Sequence, residues 1–230
     1  LGIELPAEKV PLIQRDLIRR ARQHGVPVIV ATQMLESMIS HSRPTRAEVT
    51  DVAGAALLSA DAAMLSGETA AGRYPLQAVQ MMDRILREVE ASQWMEGRYA
   101  PEPISGREHK LHRIRESMAH AAVQLTNDLD VDAIIVPTHT GTTARIMAAH
   151  RPLPPAVGAC SDERVCRRMS LHWGIVPVNI DDAESNNWRL ICNKIAAQSH
   201  LGQAGHEVLL VSGFNDDPQK NEPVLKLLRI

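Results

Sequence analysis

Two stretches of this 230-residue chain carry residue types that do chemistry, and both follow short apolar runs. In Val26–Glu68, the run Pro27–Ala31 ends in Thr32 and Gln33. The run Ala62–Leu65 ends in Ser66, Gly67, Glu68 and Thr69. Polar residues at the carboxyl ends of neighbouring parallel strands form the substrate face of many α/β enzymes. In such a place Glu68 can act as acid or base, or orient a lysine or a water. The same residues also serve as plain loop and capping chemistry. Further on, Ala133–Val136 ends in Thr138, His139, Thr140, Gly141, Thr142 and Thr143, with Arg145 close behind. Small hydroxyls and backbone N–H groups at the start of a helix make an anion cradle, and Arg145 can add a charge-assisted bond to phosphate. A capping turn that binds nothing is spelled the same way. No Gly-Lys-Ser/Thr follows, so nucleotide hydrolysis of the Walker type is not indicated.

The remaining candidates are weaker. Arg43, Arg46 and Glu48 form a charge cluster that reads as a solvated, helix-capping loop or as an interface. His109 and His112 are three apart on a helical stretch, with His120 two turns on. Without a carboxylate or cysteine partner they read as solvated helix residues rather than metal ligands. Met81, Met82 and Met118 read as core. Cys160 precedes a helix cap and reads as a small buried residue. Cys160, Cys166 and Cys192 form neither a disulfide framework nor a CxxC knuckle, and the simplest setting is a reducing cytoplasm.

These groups need strands and helices to position them. Helical spacing of Val10, Ile13, Leu17, Ile18 and Ala21, closed by Gly25, leads into the strand Pro27–Ala31. Gln33–Ile39 predicts a short helical turn. Thr45 and Glu48 have the spacing of a capping box that launches a helix over Val49–Leu58. After the strand Ala62–Leu65, a helix runs from Pro75 to about Ala91. Gly97, Pro101, Pro103 and Gly106 among charged residues mark a linker over 92–107, separating domains at 1–91 and 108–230. The second domain repeats the alternation. A helix over His109–Leu129 is followed by the strand Ala133–Val136 and a helix over Thr143–His150. The strand Ala156–Ala159, a helix at 162–170 capped by Ser161 and the strand Ile175–Val178 come next. A helix over Asp182–Gln198 and strands at Val208–Val211 and Val224–Ile230 complete it. This alternation predicts a doubly wound, mostly parallel α/β sheet.

Composition narrows the classes further. With 44% hydrophobic residues, a sizeable core can form. A net charge of −2 and an aromatic content of 3% argue against nucleic-acid binding, which needs a basic field or stacking platforms. No apolar run approaches a membrane span, and residues 1–20 mix acidic and basic groups without a signal-peptide core. The chain opens on Leu1 rather than Met and reads as a fragment.

Residues 1–81 closely resemble pyruvate kinase. The string ATQMLESM at 31–38, RPTRAE at 43–48, DAAMLSGETA at 61–70 and the Gly-x-Tyr-Pro at 72–75 all fit that family. The stretch AIIVPTHTGTTARIMAAHRP at 133–152 resembles its C-terminal domain. The resemblance implies that 1–91 is the last part of a TIM (β/α)8 barrel and that 108–230 is an α/β effector and oligomerisation domain. It implies phosphoryl transfer from phosphoenolpyruvate to ADP, giving pyruvate and ATP, with Mg²⁺ and K⁺. Thr32, Ser66 and Glu68 take catalytic positions, and Thr32 also lies beside the substrate. Arg43, Arg46 and Glu48 fall at a subunit interface of a homotetramer. Thr138, Thr140, Gly141, Thr142, Thr143 and Arg145 fall in the phosphate loop of an effector site. The family's catalytic lysine and metal-binding carboxylates correspond to no residue of this chain, so no metal ligand is expected in it and it is expected to be inactive alone. Asp216 and Asp217 would repel a second phosphate, which favours a sugar monophosphate or nucleotide effector, or none. The alternatives are a non-catalytic phosphate-ligand module and an assembly partner that uses the RPTRAE segment.

Overall fold

The computed structural model describes residues 6–96, 110–181, 190–192, 194–195, 205–215 and 217–230. The expected strand exit at 1–5, residues 97–107 of the expected linker, most of the helix expected over Asp182–Gln198, and Asp216 lie outside the described residues. The chain divides into two compact units, Leu1–Ala100 and Pro101–Ile230.

The first unit contains α1 (Val10–Gln23), β1 (Ile29–Ala31), α2 (Arg46–Leu57), β2 (Ala62–Met64), α3 (Gly67–Ala70) and α4 (Pro75–Met95). β1 and β2 pair in parallel with Ile29 opposite Ala62 and Ala31 opposite Met64. Their carboxyl ends are therefore level. Asp61 locks this register from the other end, its carboxylate accepting the Val28 N–H at 2.9 Å. The capping box forms as read: Thr45 Oγ1 accepts the Glu48 N–H at 3.3 Å, and Glu48 Oε2 accepts the Thr45 N–H at 2.7 Å. Because the box caps at Thr45, α2 starts at Arg46, three residues ahead of the predicted Val49. The predicted helical turn is a 3-10 turn over Glu36–Ile39. Its Met38, with Leu35 just before it, is fully buried against Val52 and Ala55 of α2 and Ala78 and Met82 of α4. α4 continues to Met95, into the stretch read as linker, and Gln93 Nε2 donates to the Leu57 carbonyl at 3.2 Å.

The second unit contains α5 (Lys110–Asp128), β3 (Ala133–Pro137), α6 (Thr142–Ala149), β4 (Ala156–Cys160), α7 (Glu163–Met169), β5 (Ile175–Asn179), β6 (Glu207–Ser212) and β7 (Val224–Arg229). The sheet order is β5-β4-β3-β6-β7. All neighbours are parallel except β7, which runs antiparallel to β6. Both faces of the sheet are covered, which is why its central strands read as continuous apolar runs. Ile134, Val136, Leu209 and Val211 join one core, and Ala133, Ile135, Val208 and Leu210 join the other.

Two features differ from what the sequence predicts. α7 is capped by Asp162 rather than Ser161, because the Asp162 carboxylate reaches the Arg164 N–H at 2.7 Å. Cys160 and Cys166 are joined as a disulfide, against the expectation of none. The turn from β4 into α7 folds back within six residues and brings their Cα atoms to 6.2 Å. Cys192 is the other described cysteine. It is buried, and burial pushes its thiol up, as a core residue behaves.

Candidate functional site

In the first unit the chain leaves β1 through two consecutive left-handed residues, Thr32 at φ 71° and Gln33 at φ 56°. Left-handed backbone costs an L-residue about 1–2 kcal/mol, and a β-branched threonine is an unusual occupant. Such strain persists only where the surroundings over-determine it, and it clusters at functional sites. Thr32 Oγ1 donates to its neighbour's carbonyl, that of Ala31, at 2.6 Å. Thr32, Gln33 and Ser66 are exposed, and the Ser66 side chain makes no capping bond to α3. Three polar side chains therefore stand in solvent at the level ends of β1 and β2.

Glu68 is different. It is only 3% exposed, and both its oxygens are committed to backbone. Oε1 accepts the Leu35 N–H at 3.1 Å and Oε2 accepts the Ser66 N–H at 2.7 Å. Burial pushes this carboxyl up, and Glu48 nearby pushes it slightly further. The N–H groups of Glu68 itself, Ser66 and Leu35 pull it down by more, so it lies below the ordinary glutamate value. Gly72 makes room for this arrangement: a Cβ there would sit 2.4 Å from the Glu68 carbonyl oxygen.

Glu48 holds the same loop at Ser37, two residues past the Leu35 N–H that Glu68 takes. Its carboxylate accepts the Ser37 N–H and the Ser37 hydroxyl, each at 2.6 Å, besides the capping bonds at Thr45. Burial raises this carboxyl, and the Ser37 and Thr45 donors lower it by more. Arg43 and Arg46, grouped with Glu48 in the sequence, are exposed.

In the second unit a cleft of about 720 Å³ opens at the carboxyl ends of the strands. Successive strands step from β3 to β4 to β5 on one side, and β6 then returns to the other side of β3. That reversal is where open α/β sheets place ligand crevices. Thr138, Thr140 and Thr143 line the cleft beside Cys160, Ser161, Ser212 and Phe214. Thr138 Oγ1 accepts the Gly141 N–H at 3.0 Å, and the Thr140 and Thr142 hydroxyls are hydrogen-bonded at 2.9 Å. Gly141, at φ 80°, precedes α6 in the left-handed conformation that glycine tolerates. Gly141, Thr142 and Arg145 are not among the lining residues. Among the described residues, the cations that line the cleft are Arg115, Lys220 and Lys226, and the carboxylate is that of Glu222. Sequence reasoning missed all three. Arg115 lies on α5 and Lys226 on β7, far from the threonine loop in sequence, and near Lys220 the sequence points only to Asp216 and Asp217.

The histidine candidates separate. The side chains of His109 and His112 lie outside the described set. His120 is exposed, its ring 6.2 Å from that of His150, whose Nε2 pairs with Glu116 at 2.9 Å. Among the described residues, no group of three or more His, Cys, Asp or Glu could hold a metal ion. No helix among them is long and apolar enough to cross a membrane.

The family model for the barrel domain of pyruvate kinase matches residues 1–79, and that for its alpha/beta domain matches residues 116–226. The chain is 37% identical over 231 residues to a pyruvate kinase of Agrobacterium vitis, covering 100% of this chain and 47% of the relative. It is 40% identical over 214 residues to a pyruvate kinase of Geobacillus stearothermophilus, covering 93% of this chain and 36% of the relative. Among solved structures, a pyruvate kinase from Cryptosporidium parvum superposes with a TM-score of 0.83 at 32% identity, covering 100% of this chain and 45% of that one. The chain thus spans less than half the length of these relatives.

Proposed function

The chain belongs to the pyruvate kinase family, a family of phosphotransferases, and we propose that it supplies the enolate-facing edge of a site that moves a phosphoryl group from phosphoenolpyruvate to ADP, the last step of glycolysis. The observation that carries this reading is the strained Thr32–Gln33 pair standing level with Ser66 at the ends of β1 and β2. Thr32 faces the substrate's three-carbon unit, and Ser66 serves the proton that converts enolpyruvate to pyruvate. Once the phosphoryl group has left, an enolate must be protonated, and hydroxyls held at fixed positions with little freedom to relax suit that step. Glu68 belongs to the site as a buried, ionised group.

The Mg²⁺ and K⁺ of the family do not fit the residues here. Glu68, just past the end of β2, already has both oxygens on backbone N–H groups. The ligands of those ions we assign to the family's other barrel strands. Those strands must be supplied for activity, and the 230-residue chain alone is inactive. Assembly as a homotetramer with Arg43 and Arg46 at an interface, and a cytoplasmic setting, complete the proposal.

The test is a coupled assay of pyruvate formation, run with this sequence grafted onto the remaining barrel strands of a full-length relative. The graft is active, and Thr32→Val lowers kcat by about a hundredfold, as loss of a positioned group does. An active graft with unchanged turnover in Thr32→Val overturns the assignment.

A second reading is favoured by the cleft in the second unit. Among the described residues, its threonines and three cations against the carboxylate of Glu222 suit a phosphorylated effector, and Asp217, 3.9 Å from Lys220 Nζ, disfavours a second phosphate. A sugar monophosphate or a nucleotide fits that balance.

A further inference from the structure

The loop that follows β1 carries the strained Thr32 and Gln33, and two carboxylates grip it, one at Leu35 and one at Ser37. Glu68 bridges the Leu35 N–H and the Ser66 N–H, so a single side chain ties the β1 loop to the end of β2. Glu48 bridges the Ser37 N–H and hydroxyl to the Thr45 N–H, tying the same loop to the start of α2. At and just beyond these two anchors Leu35 and Met38 are fully buried, which resists sliding or tilting of the loop. We propose that Glu48 and Glu68 are a pair of positioning residues, holding Thr32 and Gln33 in register with Ser66, and that neither carboxylate exchanges a proton with substrate.

The chemistry separates this from a proton-donor role for Glu68. A general acid must carry its proton at working pH and present it to the substrate. Glu68 is buried, each oxygen accepts a backbone N–H, and its carboxyl is held below the ordinary value, all of which favour the ionised form. Glu48 also stands in a different place from its sequence grouping. Its partners are Ser37 in the loop and Thr45 at the cap of α2, whereas Arg43 and Arg46 face solvent.

The kinetic part rests on the pyruvate kinase reading; the structural part does not. In the 230-residue chain itself, followed by NMR, the Leu35 and Ser66 amide protons shift together in one acid titration, and those of Ser37 and Thr45 share a second. This measurement needs no variant. Glu68→Gln keeps the volume but has one acceptor oxygen for two donors. It speeds amide exchange at Leu35 and Ser66 by about tenfold or more and leaves Thr45 unchanged, since each bond contributes roughly a decade. Glu48→Gln does the reverse.

In the active graft, Glu68→Gln lowers kcat by about ten- to a hundredfold through misplacement of the loop. It leaves the limbs of the kcat–pH profile where they were, and Glu68→Asp recovers part of the rate. Leu35 and Ser66 amides that titrate independently or not at all overturn the clamp. A lost pH limb in Glu68→Gln overturns positioning in favour of proton transfer. An inactive graft with intact amide titrations counts against the functional reading alone.

Discussion

Replacing Gly141 by alanine tests how the loop between β3 and α6 is held, and its cost can be worked from two contacts. The residue sits at φ 80°, where an alanine pays about 1–2 kcal/mol in backbone conformation. Its Cβ would meet Met169 Cγ at 3.2 Å and Val165 Cγ1 at 3.4 Å. Met169 cannot retreat, because its sulfur already lies where a Cβ on Gly158 would be 2.9 Å away, and it is 1% exposed. Overpacking of this kind adds about 1–2 kcal/mol. The sum is about 2–4 kcal/mol, or roughly 30- to 1,000-fold in the opening equilibrium. Native-state hydrogen exchange on peptides covering β3 and β6 reads this for the second unit alone. Gly141→Asn divides the cost: asparagine tolerates the left-handed region, so it isolates the contact with Met169. Protection in Gly141→Ala within threefold of the parent refutes the reasoning. An asparagine variant as unstable as the alanine one assigns the cost to packing rather than backbone.

Two further outcomes follow from the same geometry. Glu48 and Glu68 both lie below the ordinary carboxylate value, so their contribution is complete above the unfolded value of about 4.3 and is lost as pH falls through their lower folded values. Acid denaturation of the first unit, followed by exchange in α2 and α4, should show this loss below about pH 4.3, and Glu68→Gln should flatten it. Loss beginning well above that range contradicts the assignment. Calorimetric titration of the cleft should favour a sugar monophosphate over a bisphosphate, with Thr140→Val weakening binding about tenfold, the worth of one hydrogen bond to a charged group. Tight binding of the bisphosphate would sink the monophosphate reading.

Much of this was legible in the residues. The parallel strand ends, the Thr45–Glu48 box and the stop at Gly25 all depend on local patterns of side chain and backbone. Such patterns need only a few neighbours in sequence, and they formed as spelled. The motifs at 31–38 and 61–70 likewise point to the family because each holds many side chains at fixed spacing. The tertiary structure decided what joins across long separations. Glu68, readable in the sequence as an acid, has its oxygens on the Leu35 and Ser66 amides because the β1–β2 register levels their loops. Glu48 likewise left its arginines for Ser37. The cleft took Arg115, Lys220 and Lys226 from an α5–β7 neighbourhood set only by the sheet order β5-β4-β3-β6-β7, and it left Arg145 out of its lining. Charge and hydrogen bonding act through space, and strand order, which no local pattern encodes, decides which groups share it.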